Sequence, residues 1–172
     1  DAATGESKAY ADPNMYVYAA DMGAVISSNS WTNGAYEESV FLNSAMRSAI
    51  DYFIKYAGTD VNSKQQNGPM NGGLVIFAAA NNNSDVKEWP AAYSKVLTVA
   101  AMSHNFKKSS YSNFGDWIDI TAPGGEQSYG DNYTVLSTSI NGQYAWLQGT
   151  SMACPHVSGC AALVLSKFQG EG

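Results

Sequence analysis

Gly149-Thr150-Ser151-Met152-Ala153-Cys154-Pro155-His156-Val157-Ser158-Gly159 is the stretch from which the rest of the chain can be read. A Gly-Thr-Ser turn follows a run that ends at Gln148. Beyond it lies an apolar run, Ala161-Ala162-Leu163-Val164-Leu165. The pattern places Ser151 at the first turn of a buried helix. Backbone N–H groups there have no intrahelical partner, and the helix dipole is positive at that end. A hydroxyl so placed lies near donors that can stabilise an oxyanion. The alternative is a serine that caps a core helix, and caps far outnumber nucleophiles.

Composition narrows the class. The chain has 172 residues, enough for one domain with a real core. Charged residues make up 14% and there are 16 glycines, which suits a compact, loop-rich α/β enzyme better than a coiled coil or a disordered protein. The net charge of −6 disfavours nucleic acid and anionic membrane surfaces as partners. No apolar run approaches the roughly 18 residues of a membrane span. Cys154 and Cys160 are separated by about 120° and about 9 Å on one helix, so they cannot bridge, and two ligands do not make a zinc site.

Outward from the serine, the elements alternate. Asp12-Pro13 reads as the start of a helix that runs to about Met22, with Gly23 as its stop. Residues 24–29 read as a buried strand that ends in Ser30-Trp31-Thr32. Residues 36–57 carry apolar side chains at helical spacing, and residues 59–73 read as a loop. Residues 74–80 form a continuous apolar run, as in a strand buried on both faces, and the cluster Asn81-Asn82-Asn83 ends it. Residues 95–102 make another strand. Residues 134–148 read as a hairpin around Asn141-Gly142. The expected fold is α/β, a mostly parallel twisted sheet with helices on both faces.

The wording of the opening stretch, Gly-Thr-Ser-Met-Ala-x-Pro-His-Val-x-Gly, resembles the nucleophile motif of the subtilisin-like serine peptidases (subtilases). The resemblance implies that Ser151 is the nucleophile of a serine endopeptidase acting on protein or peptide substrates, and it implies a secreted protein. It also implies roles elsewhere. Ser30, Trp31 and Thr32, with Ala78, Ala79 and Ala80, would hold the substrate strand and wall the primary specificity pocket. Alignment through the apolar run puts Asn82 in the role of the amide that donates to the oxyanion, with Asn81 and Asn83 as rivals one residue away. Glu88 aligns near the base of the primary pocket, where a carboxylate would favour Lys or Arg; an exposed loop glutamate is the alternative. The carbonyls of Ala91, Tyr93 and Val96 with Asp119 match a weak cation site, for calcium or sodium. One carboxylate implies weak binding, and the chemistry itself requires no cofactor. A local hydrogen bond is the alternative role for Asp119.

A serine nucleophile needs a base and an orienting acid. His156 lies about 140° around the helix from Ser151, and the family motif makes it structural. His104 falls in a polar loop. Only 21 residues follow Ser151, without an Asp, so the Ser-Asp-His order of the α/β-hydrolases fails. The subtilase order is Asp, His, Ser, which puts both partners upstream. The resemblance covers about residues 14 to 168. Residues 1–172 are therefore expected to be one partial subtilase catalytic domain, incomplete on its N-terminal side, inactive alone and prone to associate. A non-catalytic subtilase-like module that binds peptides or proteins is the rival reading.

Overall fold

The computed structural model describes residues 12–32, 37–42, 44–60, 65–66 and 69–168. Residues 1–11 and the middle of the loop expected at residues 59–73 lie outside them. In chain order the elements are α1 (Asn14–Asp21), β1 (Ile26–Asn29), α2 (Glu38–Leu42), α3 (Ala45–Tyr56), β2 (Thr59–Asp60), β3 (Gln65–Gln66), β4 (Leu74–Ala78), β5 (Leu97–Met102), β6 (Ile120–Pro123), β7 (Val135–Thr138), β8 (Tyr144–Leu147) and α4 (Thr150–Phe168).

Local chemistry explains most of the boundaries. Asp12 accepts the Asn14 N–H at 2.9 Å and so opens α1. Gly23, at φ +88°, donates to Ala20 O while Ala24 donates to Ala19 O. That pair of bonds is a Schellman stop, and it needs the left-handed residue that Gly23 supplies. The helix expected over residues 36–57 is two helices. Ser44 is extended (φ −88°, ψ 155°), and its hydroxyl oxygen accepts the Arg47 N–H, so α3 starts anew there. A serine that can cap competes with helix continuation, and here it wins.

The main sheet has the order β1-β4-β5-β6, with every pairing parallel. Successive side chains of a strand point to opposite faces. Val75, Phe77 and Ala79 enter one core with Tyr16 and Ala20 of α1 and Ile50 and Phe53 of α3. Ile76 and Ala78 enter the other with Ala153, Cys154 and Val157 of α4. Helices therefore cover both faces, as the apolar run at residues 74–80 requires. Phe53, Phe77 and Ile50 are fully buried, and each contributes about 1.5–3 kcal/mol. β7 and β8 form a separate antiparallel hairpin, with Asn141 and Gly142 both at positive φ in the turn.

The helix that carries Ser151 departs from expectation. Its buried residues are Thr150, Ala153, Cys154 and Val157, one stripe over its first two turns. Leu163 and Val164, expected inside, are 71% and 56% exposed. Among the described residues nothing covers that end. Leu136, Tyr144 and Leu147 of the hairpin are also exposed.

Candidate functional site

The carboxyl ends of β1 and β4 and the amino end of α4 converge, the usual place for a site in a parallel α/β sheet. The chain enters α4 through Gly149, at φ +147°, whose N–H donates to Gly124 O at 2.9 Å. The Gly149 carbonyl accepts the N–H groups of Met152 and Ala153 and starts the helix. Ser151 is its second residue and is half-buried. Its own N–H has no partner among the described residues, as expected in a first turn.

Pro155 has a direct consequence for Ser151. A proline has no N–H to donate four residues back, so the Ser151 carbonyl loses its helical partner. The Ser30 hydroxyl supplies the bond instead, donating to Ser151 O at 2.8 Å. In return the Ser151 hydroxyl lies 3.3 Å from Ser30 O. The end of β1 is thus tied to the serine from both directions. Trp31 packs edge-on against Phe77 and anchors the same segment.

Asn81 and Asn82 part company. The Asn81 amide oxygen accepts both the Thr150 N–H, at 2.9 Å, and the Thr150 hydroxyl, at 3.0 Å. It caps the first turn of α4 from across the sheet. With its oxygen so engaged, its nitrogen faces the turn. Asn81 Nδ2 and Ser151 N each lie 3.6 Å from the point where a Cβ on Gly149 would stand. Asn82, the residue aligned with the donor role, turns its amide elsewhere: Nδ2 donates to Glu88 Oε1 at 3.0 Å. The physical reason lies one residue upstream. Ala80 adopts φ +75°, a conformation that favours glycine, so the bend comes one position earlier than the alignment assumed. The side chain that follows the bend is Asn81. Asn83 also departs, accepting Lys108 Nζ at 2.8 Å.

Glu88 is not an exposed loop residue: it is 5% exposed. Its carboxylate accepts Asn82 Nδ2 and the Thr32 hydroxyl, at 3.0 and 3.2 Å. It joins the segment that follows β4 to the segment that follows β1. Among the described residues no cation pairs with it. Ala78, Ala79 and Ala80 are buried; the Ala79 N–H donates to Val99 O, and Ala80 O accepts the Asn113 N–H.

At the expected cation site, Asp119 Oδ2 accepts the Thr98 N–H at 2.7 Å. Ala91 O accepts the Thr98 hydroxyl, and Tyr93 O accepts the Val96 N–H. These groups cluster, yet each already has a protein partner. No group of three or more His, Cys, Asp or Glu with metal-site geometry occurs among the described residues.

Neither histidine hydrogen-bonds Ser151 among the described residues. His156 is exposed, and its Nδ1 lies 2.7 Å from Met152 O, so Nδ1 carries the proton. His104 packs against the rings of Tyr129 and Tyr133. Both cysteines are free, and burial pushes the Cys154 thiol up. Beside Ser151 lies an open groove of about 290 Å³ lined by Val135, Leu136, Met152, Pro155 and His156.

Residues 2–171 match the family model described as "Subtilase family". The chain is 34% identical to Thermitase of Thermoactinomyces vulgaris over 156 residues, which cover 90% of this chain and 45% of that protein. It is 40% identical to "Extracellular basic protease" of Dichelobacter nodosus over 109 residues, 59% of this chain and 17% of that one. A protease of Pseudoalteromonas arctica superposes with a TM-score of 0.68 at 30% identity, covering 88% of this chain and 44% of that structure. The chain thus spans less than half the length of these relatives.

Proposed function

The chain belongs to the subtilase family, and on that premise we propose that its parent protein is a serine endopeptidase with Ser151 as nucleophile. The observation that carries this reading is the convergence of Ser151, its free backbone N–H and the Asn81 amide on one space at a helix start. Ser151 attacks the scissile carbonyl. The Ser151 N–H and Asn81 Nδ2 receive the oxyanion, where fixed donors in a partly dry site act more strongly than in water. Asn81 replaces Asn82 in the expected role because its oxygen is tied to Thr150 and its nitrogen is left to donate.

The base and the orienting acid come from chain outside these residues. This is supported by His156 and His104 being engaged elsewhere. The same missing part covers the groove beside Ser151 and the exposed end of α4, for apolar surface of that kind marks an interface. Residues 30–32 and 78–80 hold the substrate strand, and the parent protein acts outside the cytoplasm, as its extracellular relative's name suggests. Glu88 selects a basic residue at the scissile position: a buried carboxylate whose donors among the described residues are neutral attracts a cation that completes it.

The cation site is retained only as a weak one. Asp119 keeps one oxygen, and the Ala91, Tyr93 and Val96 carbonyls can offer lone pairs. That set fits a hard cation, calcium or sodium, and would brace the loop before β5.

A fluorophosphonate probe on the full-length protein tests the central assignment. Labelling of Ser151, abolished in Ser151→Ala and by denaturation, is the expected result. An unlabelled Ser151 in folded full-length protein would leave a peptide-binding module instead.

A further inference from the structure

We infer that Asn113 is a positioning residue that holds Asn81 in the conformation needed for oxyanion binding. The inference rests on the assignment of Asn81 above. Asn113 is 0% exposed and grips the chain on both sides of Asn81. Its backbone N–H donates to Ala80 O at 3.1 Å. Its side-chain oxygen accepts the N–H of Asn82 at 2.8 Å and of Ser84 at 3.3 Å.

Two donors aimed at one atom settle which end of the amide is oxygen. The cost falls on the other end. Asn113 Nδ2 is buried and has no hydrogen-bond partner among the described residues. An apolar side chain of equal volume would avoid that orphan, but it would leave two loop N–H groups unmet. The oxygen is therefore the part of Asn113 that the fold uses.

The loop needs such a grip. Ala80 and Asn83, on either side of Asn81 and Asn82, sit at φ +75° and +49°. Left-handed conformations at non-glycine residues persist where surrounding structure enforces them. The segment around Asn113 supplies further clamps. Asn83 N–H donates to Tyr111 O at 2.8 Å, and Phe114 N–H donates to Ser84 O. The Tyr111 hydroxyl lies 2.8 Å from both Gly124 O and Gly125 O, and Gly124 O also accepts the Gly149 N–H. One loop thus sets the positions of both oxyanion donors without touching Ser151.

The test is a double-mutant cycle in the full-length enzyme, with kcat counted per titrated active serine. Asn113→Leu keeps volume and loses the acceptor. Asn113→Asp keeps an acceptor in place. Asn113→Ala, which also lacks the acceptor, takes the place of Leu if the Leu variant does not fold. Displacements of about 1 Å at a reacting centre cost up to about 10²-fold. Asn113→Leu is expected to lower kcat about 10-fold with KM within about twofold, and Asn113→Asp to stay within about threefold of the parent. Added to Asn81→Ala, Asn113→Leu is expected to change kcat less than about twofold, because the donor it positions is gone. An equal loss in both backgrounds, a rise in KM alone, or no loss at all would overturn the inference. If Asn81→Ala itself leaves kcat intact, the oxyanion assignment fails, a result distinct from the failure of Asn113.

Discussion

Replacing Asn81 in two ways separates its two tasks. Its oxygen caps Thr150, a residue with no exposed surface, through two hydrogen bonds at 2.9 and 3.0 Å. Asn81→Ala removes that oxygen and strands the Thr150 N–H; an orphaned buried donor costs about 1–3 kcal/mol. The hydroxyl can rotate toward another acceptor and adds little. Asn81→Asp keeps the acceptor and adds negative charge at a helix start, worth about 0.3–1 kcal/mol in its favour. The Asp variant should therefore match the parent in stability, while the Ala variant loses about 1–3 kcal/mol in denaturant unfolding at pH 7. Both lack the Nδ2 donor, so both should lose kcat, the Asp variant at least as much as the Ala variant because its charge faces the oxyanion. A loss of about 10²–10³ is the value for subtilisin's own oxyanion asparagine. Asn82→Ala, which breaks only the bond to Glu88, should hold kcat within a few-fold. The assay is steady-state kinetics on a peptide amide with the full-length enzyme, alongside unfolding curves. An Asp variant with unimpaired kcat, or an Asn82 variant that loses kcat as Asn81→Ala does, would refute the reasoning.

Three further outcomes follow from the same geometry. Glu88→Gln should erase a preference for Lys over Phe or Leu at the scissile residue in matched peptides; a parent enzyme that prefers Phe or Leu would dismiss the role of Glu88. Burial opposes the charge on Glu126, but the N–H and hydroxyl of Ser110 and the hydroxyl of Ser128 outweigh it and hold this carboxyl below its ordinary value. A depressed folded-state value contributes stability above about pH 4.3, lost as pH falls through the folded value. Unfolding at pH 7 and pH 3 should show that Glu126→Gln is destabilising at the first and much less so at the second; a gap independent of pH would contradict this. Finally, the 172-residue chain alone should associate through its exposed Leu163, Val164, Leu136 and Leu147, and light scattering that finds a stable monomer would argue against the proposed covered face.

Much of the architecture was legible before any coordinates because its causes are local. The run at residues 74–80 has no polar face, so it must be covered on both sides, and it is. Asn141-Gly142 favours the left-handed turn that it adopts, and Gly149-Thr150-Ser151 opens a helix through bonds within four residues. The exposed half of α4 was misread for a related reason: apolar composition reports what a segment can bury, not whether a partner is there to bury it.

Three adjacent asparagines carry no local signal that ranks them. What distinguishes them lies across the fold: Asn113, 31 residues on, accepts the Asn82 N–H, and Thr150, 69 residues on, donates to the Asn81 oxygen. The carbonyl freed by Pro155 is likewise answered by Ser30 from the far side of the sequence. Neighbouring residues and their periodicity were enough to place a serine at the head of a helix on a parallel sheet. Which amide faces it is a matter of one backbone angle at Ala80, and only contacts between distant segments hold an alanine in that conformation.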